Sequence, residues 1–269
     1  MLAQPNVSPI SEALVGEALT TAKVAVKLIS KKTMNEQELK KPSFALVSDH
    51  ACLLTFSDVI DEFTADYISR VNQALKTIDG IVDLVPSYTT LLVVFDMDHY
   101  DRFAIEKQIK EVIASISSSD FGQRDTCEVV IPVYYGAEVG PDIDDVAKHC
   151  GIQVDDVIRL HSSTRYRAYA VGFAPGYAFL GNTPDTLHIP RKETPRLKVI
   201  AGSVAIAERQ TAVYPSTSPG GWQIIGRTPI QLVDWGSENL AIIEVGDTVK
   251  FEPISRDEFL AQGGSLDGF

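Results

Sequence analysis

From Ser43 onward the chain alternates short apolar runs with stretches whose apolar residues recur every three or four positions. FALVS (44–48) and ACLLTFS (51–57) read as a strand pair turned at Asp49–His50. Asp58 or Asp61 then caps a helix that carries Phe63, Tyr67, Ile68, Val71 and Leu75 on one face and stops at Gly80. IVDLVPSY and TTLLVVF (81–95) are again strand-like. A second helix runs from Tyr100 to Ile116, with Phe103, Ile105, Ile109, Val112 and Ile113 apolar. Strand pairs alternating with helices predict a two-layer α+β domain over 43–118, ferredoxin-like in character. SISSSDFGQRD (115–125) is Ser-rich and poor in apolar residues, so 119–126 reads as a linker.

The second half has a different rhythm. TCEVVIPVYYG (126–136) is a strong strand, followed by a turn at EVGPD. DIDDVAKHCGIQVDDVIRL (142–160) imitates a helix-turn-helix broken at Gly151, but Asp142, Asp144, Asp145, Asp155 and Asp156 make it unfit for DNA. It reads as two structural helices packed beside a sheet. From 168 onward the apolar runs are short and separated by turn residues. Their number and spacing predict a closed or nearly closed β-barrel within 127–256, with 257–269 as a C-terminal tail.

Residues 1–42 differ from both halves. They carry six Lys against four Glu, and Ile10, Leu14, Leu19, Val24, Leu28 and Ile29 are spaced for a helix near Ser11–Lys31. The whole sequence of 269 residues is 45% hydrophobic and 22% charged, enough for one large or two ordinary domains with a real core. A net charge of −12 argues against nucleic acid or an anionic membrane as partner. Cys52, Cys127 and Cys150 are odd in number and scattered, so neither a disulfide framework nor a metal site is expected. With no long apolar run and no signal-like leader, the reading is a cytoplasmic protein.

Charge and glycine content single out His161–Pro229. Seven of the 14 prolines and seven of the 18 glycines lie between Gly172 and Pro229, which shapes the backbone into loops. Arg159 to Arg227 holds nine Lys/Arg against three acids, a basic island inside an acidic chain. Such an island suits a carboxylate or phosphate. Arg191, Lys192 and Arg196, stiffened by Pro190 and Pro195, are the candidate anion donors, with Arg227 beside them in the same stretch. Gly220 and Gly221, preceding Trp222, read as a backbone nest with a flat apolar wall. Gly172, Pro175 and Gly176 read as a second tight loop closed by Phe173 and Tyr177. Gln210, Thr211 and Tyr214 add neutral hydrogen-bonding groups. For each glycine and proline the plainer alternative is turn geometry alone.

GFAPGYAFLG (172–181), PRKETPR (190–196), AGSVAIAERQTAVYP (201–215) and SPGGWQIIGRTP (218–229) together resemble the allophanate hydrolase subunit 1, or KipI-type, family. The likeness covers roughly Ser43 to Arg256, so residues 1–42 depart from the family pattern. It implies a cyclophilin-like barrel in the second half. It also implies a role for His161 as general acid/base or ligand donor, although a helix C-terminal histidine favoured by the macrodipole is the competing account. His50 and His99 stand alone near turns and read as surface residues.

The same resemblance implies membership of an ATP-dependent 5-oxoprolinase complex converting 5-oxo-L-proline to L-glutamate. The chain's partners there would be a KipA-type subunit and a ring-opening subunit. Two alternatives use the same scaffold: an inhibitor of a sensor histidine kinase, and a urea amidolyase-type carboxyltransferase module. Ser162, Ser203 or Ser216 with His161 would be the makings of a serine hydrolase, but no nucleophile elbow is present. No Walker A, kinase or Rossmann signature occurs. ATP, with Mg, is therefore expected at a site shared with another polypeptide, and the chain is expected to be inactive alone.

Overall fold

The computed structural model describes residues 41–116, 127–236 and 240–268; the helix expected near Ser11–Lys31 and the linker at 119–126 lie outside them. Asp49 and His50 form the turn that joins β1 (Ser43–Ser48) to β2 (Ala51–Thr55). Asp61 is the cap of α1 (Glu62–Leu75), its carboxylate accepting from the Thr64 amide at 2.7 Å. Asp101 caps α2 (Arg102–Ser115), accepting from the Phe103 and Ala104 amides at 2.8 Å each. Between the helices run β3 (Ile81–Pro86) and β4 (Thr90–Phe95).

These strands form a sheet of order β1-β2-β4-β3 in which every neighbouring pair is antiparallel. β2 and β3 are thus parallel, joined through α1, with β4 inserted between them. That is a split β-α-β unit. The strand order is that of a ferredoxin-like sheet whose last strand has moved to the front of the chain. Cys52, Leu54, Leu91, Val93 and Phe95 supply the sheet's buried side chains, and Ile68, Val71, Leu75, Ile105 and Ile109 are the buried helix residues. Phe103, expected on the apolar face of α2, is instead 65% exposed, with the Arg102 guanidinium 4.4 Å above its ring.

The second sheet begins at β5 (Glu128–Val133). α3 (Ile143–Cys150) and α4 (Val154–Ser163) follow, separated by Gly151 at φ 68. Then come β6 (Arg165–Val171), β7 (Ala178–Gly181), β8 (Arg196–Val199), β9 (Ser203–Ala207), β10 (Gln210–Val213), β11 (Ser218–Gly220), β12 (Gln223–Arg227) and β13 (Thr248–Pro253). Seven of them form one mixed sheet, β12-β9-β10-β7-β6-β13-β5, in which only the β13–β5 pair is parallel. Its two ends meet. Tyr134, just past β5, exchanges two backbone hydrogen bonds of 2.9 Å with Arg227 at the end of β12. The expected β-barrel is therefore present and nearly closed.

Alternation along the strands divides the apolar residues between two clusters. Val204, Ile206, Val213 and Ile225 turn into the barrel core with Leu180, Tyr166, Val249 and Phe251. Ala205, Ala207, Ala212 and Tyr214 face the other way and pack with Val199 and Trp222 of the segment that holds the β8–β11 ribbon. Ile143, Val146 and Val157 of α3 and α4 join the barrel core, so the helix pair is structural, as its charge suggested. α5 (Arg256–Ala261), started by a Ser255–Glu258 capping box, buries Phe259 completely against Tyr134 at 5.6 Å. Pro42–Phe269 is one compact unit. Helix α1, packed on the first sheet, is tied to the barrel by an ion pair between Arg167 and Asp66, 8% and 19% exposed.

Candidate functional site

Folding dissolves most of the basic island. Arg159 pairs with Asp156 at 2.8 Å, Arg165 with Glu128 at 2.6 Å, and Arg209 with Asp185 at 2.7 Å. Arg167 is held by Asp66. Lys192 and Arg196 both converge on Asp142, which is 1% exposed. Burial pushes the Asp142 carboxyl up, but Arg196, Lys192 and the Ile224 amide outweigh it and hold it below the ordinary carboxylate range. Arg227 donates to the carbonyls of Ala201 (3.0 Å), Ser265 (2.7 Å) and Asp267 (3.0 Å), tying the C-terminal residues to the barrel. Among the described residues, only Arg191 and Lys198 of the island are held by neither an acid nor a carbonyl. Most of the island's charges are thus paired within the chain, three of them at the surface, and Lys192, Arg196 and Arg227 are not free to meet a ligand.

Arg191 has a different setting. It is exposed, 5.9 Å over the Trp222 ring, and its charge acts on the phenols of Tyr88, Tyr177 and Tyr214. Tyr177 packs edge-on against Tyr214 at 5.3 Å and against Trp222 at 6.1 Å, and Phe179 lies 6.2 Å from both Trp222 and Tyr88. Burial raises the pKa of all three tyrosines, so they are neutral hydrogen-bonding groups. One cation beside this aromatic surface makes a receptor for a small anion with an apolar body.

Next to it opens a cleft of about 590 Å³ lined by Ile60, Tyr88, Tyr169, Asn182, His188, Glu208, Arg209 and Gln210. Tyr88 comes from the β3–β4 turn of the first sheet. It stacks on Tyr169 of the barrel at 6.1 Å, and its hydroxyl accepts from Gln210 Nε2 at 2.7 Å. The first sheet therefore supplies one wall of the cleft. Sequence reasoning found Arg191, Gln210, Tyr177, Tyr214 and Trp222, which the fold does bring together. It missed Tyr88 and Tyr169, which come from segments read as plain strands and turns, and His188, Phe179 and Glu208, which lie in or between the quoted motifs but carry no local signal of their own.

His161 lies elsewhere. It is fully buried in the barrel core, stacked on Phe251 at 4.5 Å. Thr211 Oγ1 donates to the Ala205 carbonyl at 3.0 Å, so it accepts from His161 Nε2–H at 2.8 Å. That leaves Nδ1 as the acceptor for the Tyr135 hydroxyl at 2.8 Å. Burial drives the imidazole pKa down to about 3. His161 is a neutral core bridge, which removes both the acid/base role and the charged helix-end account. Thr211 is its partner in that bridge. Ser203 is likewise fully buried, with its hydroxyl unpartnered, and no histidine is placed to activate it.

The glycines answer to close packing. Gly220 and Gly221 do not have the positive φ a nest requires. A Cβ on Gly220 would lie 2.3 Å from the Tyr214 hydroxyl oxygen, and Gly221 offers its carbonyl to the Lys192 amide at 2.7 Å. The 172–177 loop is closed by Gly172 N–H on the Tyr177 carbonyl at 3.0 Å, with Pro175 exposed at its outer side. Gly176, at φ 76, passes so close that a Cβ would meet Val233 at 2.5 Å. Phe173 also takes φ 76, is 68% exposed, and meets Tyr177 edge-on at 5.2 Å.

The model for the carboxyltransferase domain, subdomain C and D, matches residues 42–243. The chain belongs to that family. Among its carboxyltransferase-domain relatives, the 5-oxoprolinase B subunit of Bacillus subtilis is 34% identical over 80% of this chain and 94% of its own length. The Escherichia coli O157:H7 protein of the same name is 35% identical over 77% of this chain and 94% of its own, and the Haemophilus influenzae one 40% over 66% and 81%. The resemblance carried by the four motifs is therefore sound. The crystal structure of TTHA0988 superposes with a TM-score of 0.67 at 31% identity over 77% of this chain, which spans 40% of that longer chain. Kluyveromyces lactis urea carboxylase shares the fold, with a TM-score of 0.61 at 17% identity over 84% of this chain and 23% of its own.

Proposed function

We propose that the chain is the B subunit of a cytoplasmic, ATP-dependent 5-oxoprolinase that converts 5-oxo-L-proline to L-glutamate. The observation that carries the reading is the name shared by three relatives that are 34–40% identical. The geometry supports it. 5-Oxoproline is a small ring with one carboxylate and one lactam. Arg191 is the exposed cation able to take the carboxylate, and Tyr88 and Tyr169 offer flat walls for the ring.

ATP enters as co-substrate, with Mg²⁺. Arg191 and Lys198 are too few to hold a triphosphate as well as a carboxylate, so the phosphates belong to a surface completed by a second polypeptide. That polypeptide is the KipA-type subunit, and a third, ring-opening component acts on the activated ring. The test is co-purification with the KipA-type subunit and measurement of ATP hydrolysis with and without 5-oxoproline. The pair is expected to hydrolyse ATP only when 5-oxoproline is present, and this chain alone is expected to be inactive. Hydrolysis indifferent to 5-oxoproline, or turnover by the single chain, would overturn the reading.

A further inference from the structure

The cleft holds a titratable pair with no part in substrate binding as proposed above. His188, which follows the short helical turn Asp185–Leu187, places Nε2 3.3 Å from Glu208 Oε2. Both residues line the cleft. Glu208 is set there by an unusual backbone. It occupies the first corner of the two-residue β9–β10 hairpin at φ 54, its amide bonded to the Ile189 carbonyl at 2.6 Å. Glycine is the ordinary residue at such a corner, so a carboxylate is kept where the backbone disfavours any side chain. The adjacent cation does not neutralise it, because Arg209 is taken by Asp185 at 2.7 Å. Glu208 is left to His188, whose Nδ1 has no partner among the described residues. A histidine oriented by a carboxylate through one nitrogen and open at the other is the arrangement of a general base.

Resting on the 5-oxoproline reading, we propose that His188 accepts the lactam N–H proton during activation and that Glu208 orients the ring and stabilises the imidazolium. The lactam oxygen attacks the γ-phosphorus of a nucleoside triphosphate, and the bond from that phosphorus to the β,γ-bridging oxygen breaks, releasing the diphosphate. The carbonyl π pair becomes the new O–P bond. The N–H pair becomes the C=N bond, and the proton passes to His188, which later returns it to water. The product is an O-phosphorylated cyclic imidate, electrophilic at carbon and ready for ring opening. Besides Glu208, the charged and titratable groups around the imidazole are the Asp185–Arg209 pair and, among the cleft walls, Tyr88 and Tyr169.

The test uses the complex with the KipA-type subunit and follows 5-oxoproline-dependent ATP hydrolysis against pH. His188→Asn is expected to lower kcat by at least about 100-fold at nearly unchanged KM and to abolish the acidic limb of the kcat profile. Glu208→Gln is expected to give a smaller loss of kcat, again at nearly unchanged KM, because the imidazole loses the group that orients it. Equal thermal midpoints verify folding, and where His188→Asn fails to fold, the split between kcat and KM in Glu208→Gln decides. Wild-type kcat in both variants, with the acidic limb kept in His188→Asn, would overturn the proton-acceptor role alone. A wild-type complex without 5-oxoproline-dependent hydrolysis would overturn the functional reading, and this role with it.

Discussion

Arg196 grips Asp142 with a two-pronged fork, Nη1 to Oδ2 at 2.8 Å and Nη2 to Oδ1 at 2.7 Å. Lys192 adds a bond of 2.7 Å to Oδ1, and the Ile224 amide one of 2.7 Å to Oδ2. The sequence reading makes Arg196 a candidate anion donor, which as a ligand-facing group would hold no core together. The fork reverses that expectation. Arg196→Ala leaves a buried carboxylate short of its main partner and is expected to cost about 3–5 kcal/mol of stability, the range for breaking a buried pair. Urea unfolding checks it, with Arg196→Lys recovering only part. Because the folded Asp142 pKa is depressed, its contribution is present above the unfolded value and lost as pH falls through the folded one.

His161 gives a second acid signature. Its folded pKa of about 3 lies below the ordinary 6.5, so below pH 6.5 the unfolded chain binds a proton that the folded chain refuses. This contribution is complete above pH 6.5 and fades as pH falls toward 3, by up to about 1.4 kcal/mol per pH unit. Denaturation midpoints measured between pH 7 and pH 4 are expected to fall steeply. The His161 ring carbon shifts in NMR should stay those of a neutral Nε2–H imidazole at pH 5.

Arg191 should behave as the inverse of Arg196. In the assembled complex, Arg191→Ala is expected to raise KM for 5-oxoproline by the equivalent of about 1.5–3 kcal/mol, roughly 10- to 150-fold. Its melting temperature should stay within a few degrees, since no internal carboxylate depends on it. Isothermal titration and thermal melts of the two alanine variants, side by side, check the contrast.

Tyr88 tests whether the first sheet belongs to the site. Tyr88→Phe removes the hydroxyl that takes the Gln210 bond and is expected to cost about 0.5–1.5 kcal/mol in kcat/KM. Tyr88→Ala removes the stacking wall as well and should cost more. Steady-state assays of both variants check the order.

Local signals were readable from the chain. Asp61 caps the helix it precedes, the first hairpin turns at Asp49 and His50, and the number and spacing of short apolar runs predicted the barrel. What escaped was long-range pairing. Asp142 looked like one more acid in a helix pair, yet it meets Arg196 from 54 positions away, and Tyr88 meets Gln210 across 122. Counting cations within a window misread the island because Asp66, Glu128, Asp142 and Asp156 all lie outside it. Composition records how many charges a stretch has. Which of them stay unpaired depends on contacts that no local pattern encodes.

β13 lies between β5 and β6, although 120 residues of chain separate the start of β13 from the start of β5. During synthesis, therefore, the barrel's first two strands emerge long before the strand that must be slotted between them. Until Thr248–Pro253 leaves the ribosome, both keep an open backbone edge, and the Tyr134–Arg227 seam closes a sheet that is still split on the opposite side. Such high contact order makes for slow folding and a nascent chain in need of protection. A premature stop anywhere between residues 228 and 248 would release a protein with every site residue named above and no closed barrel to hold them.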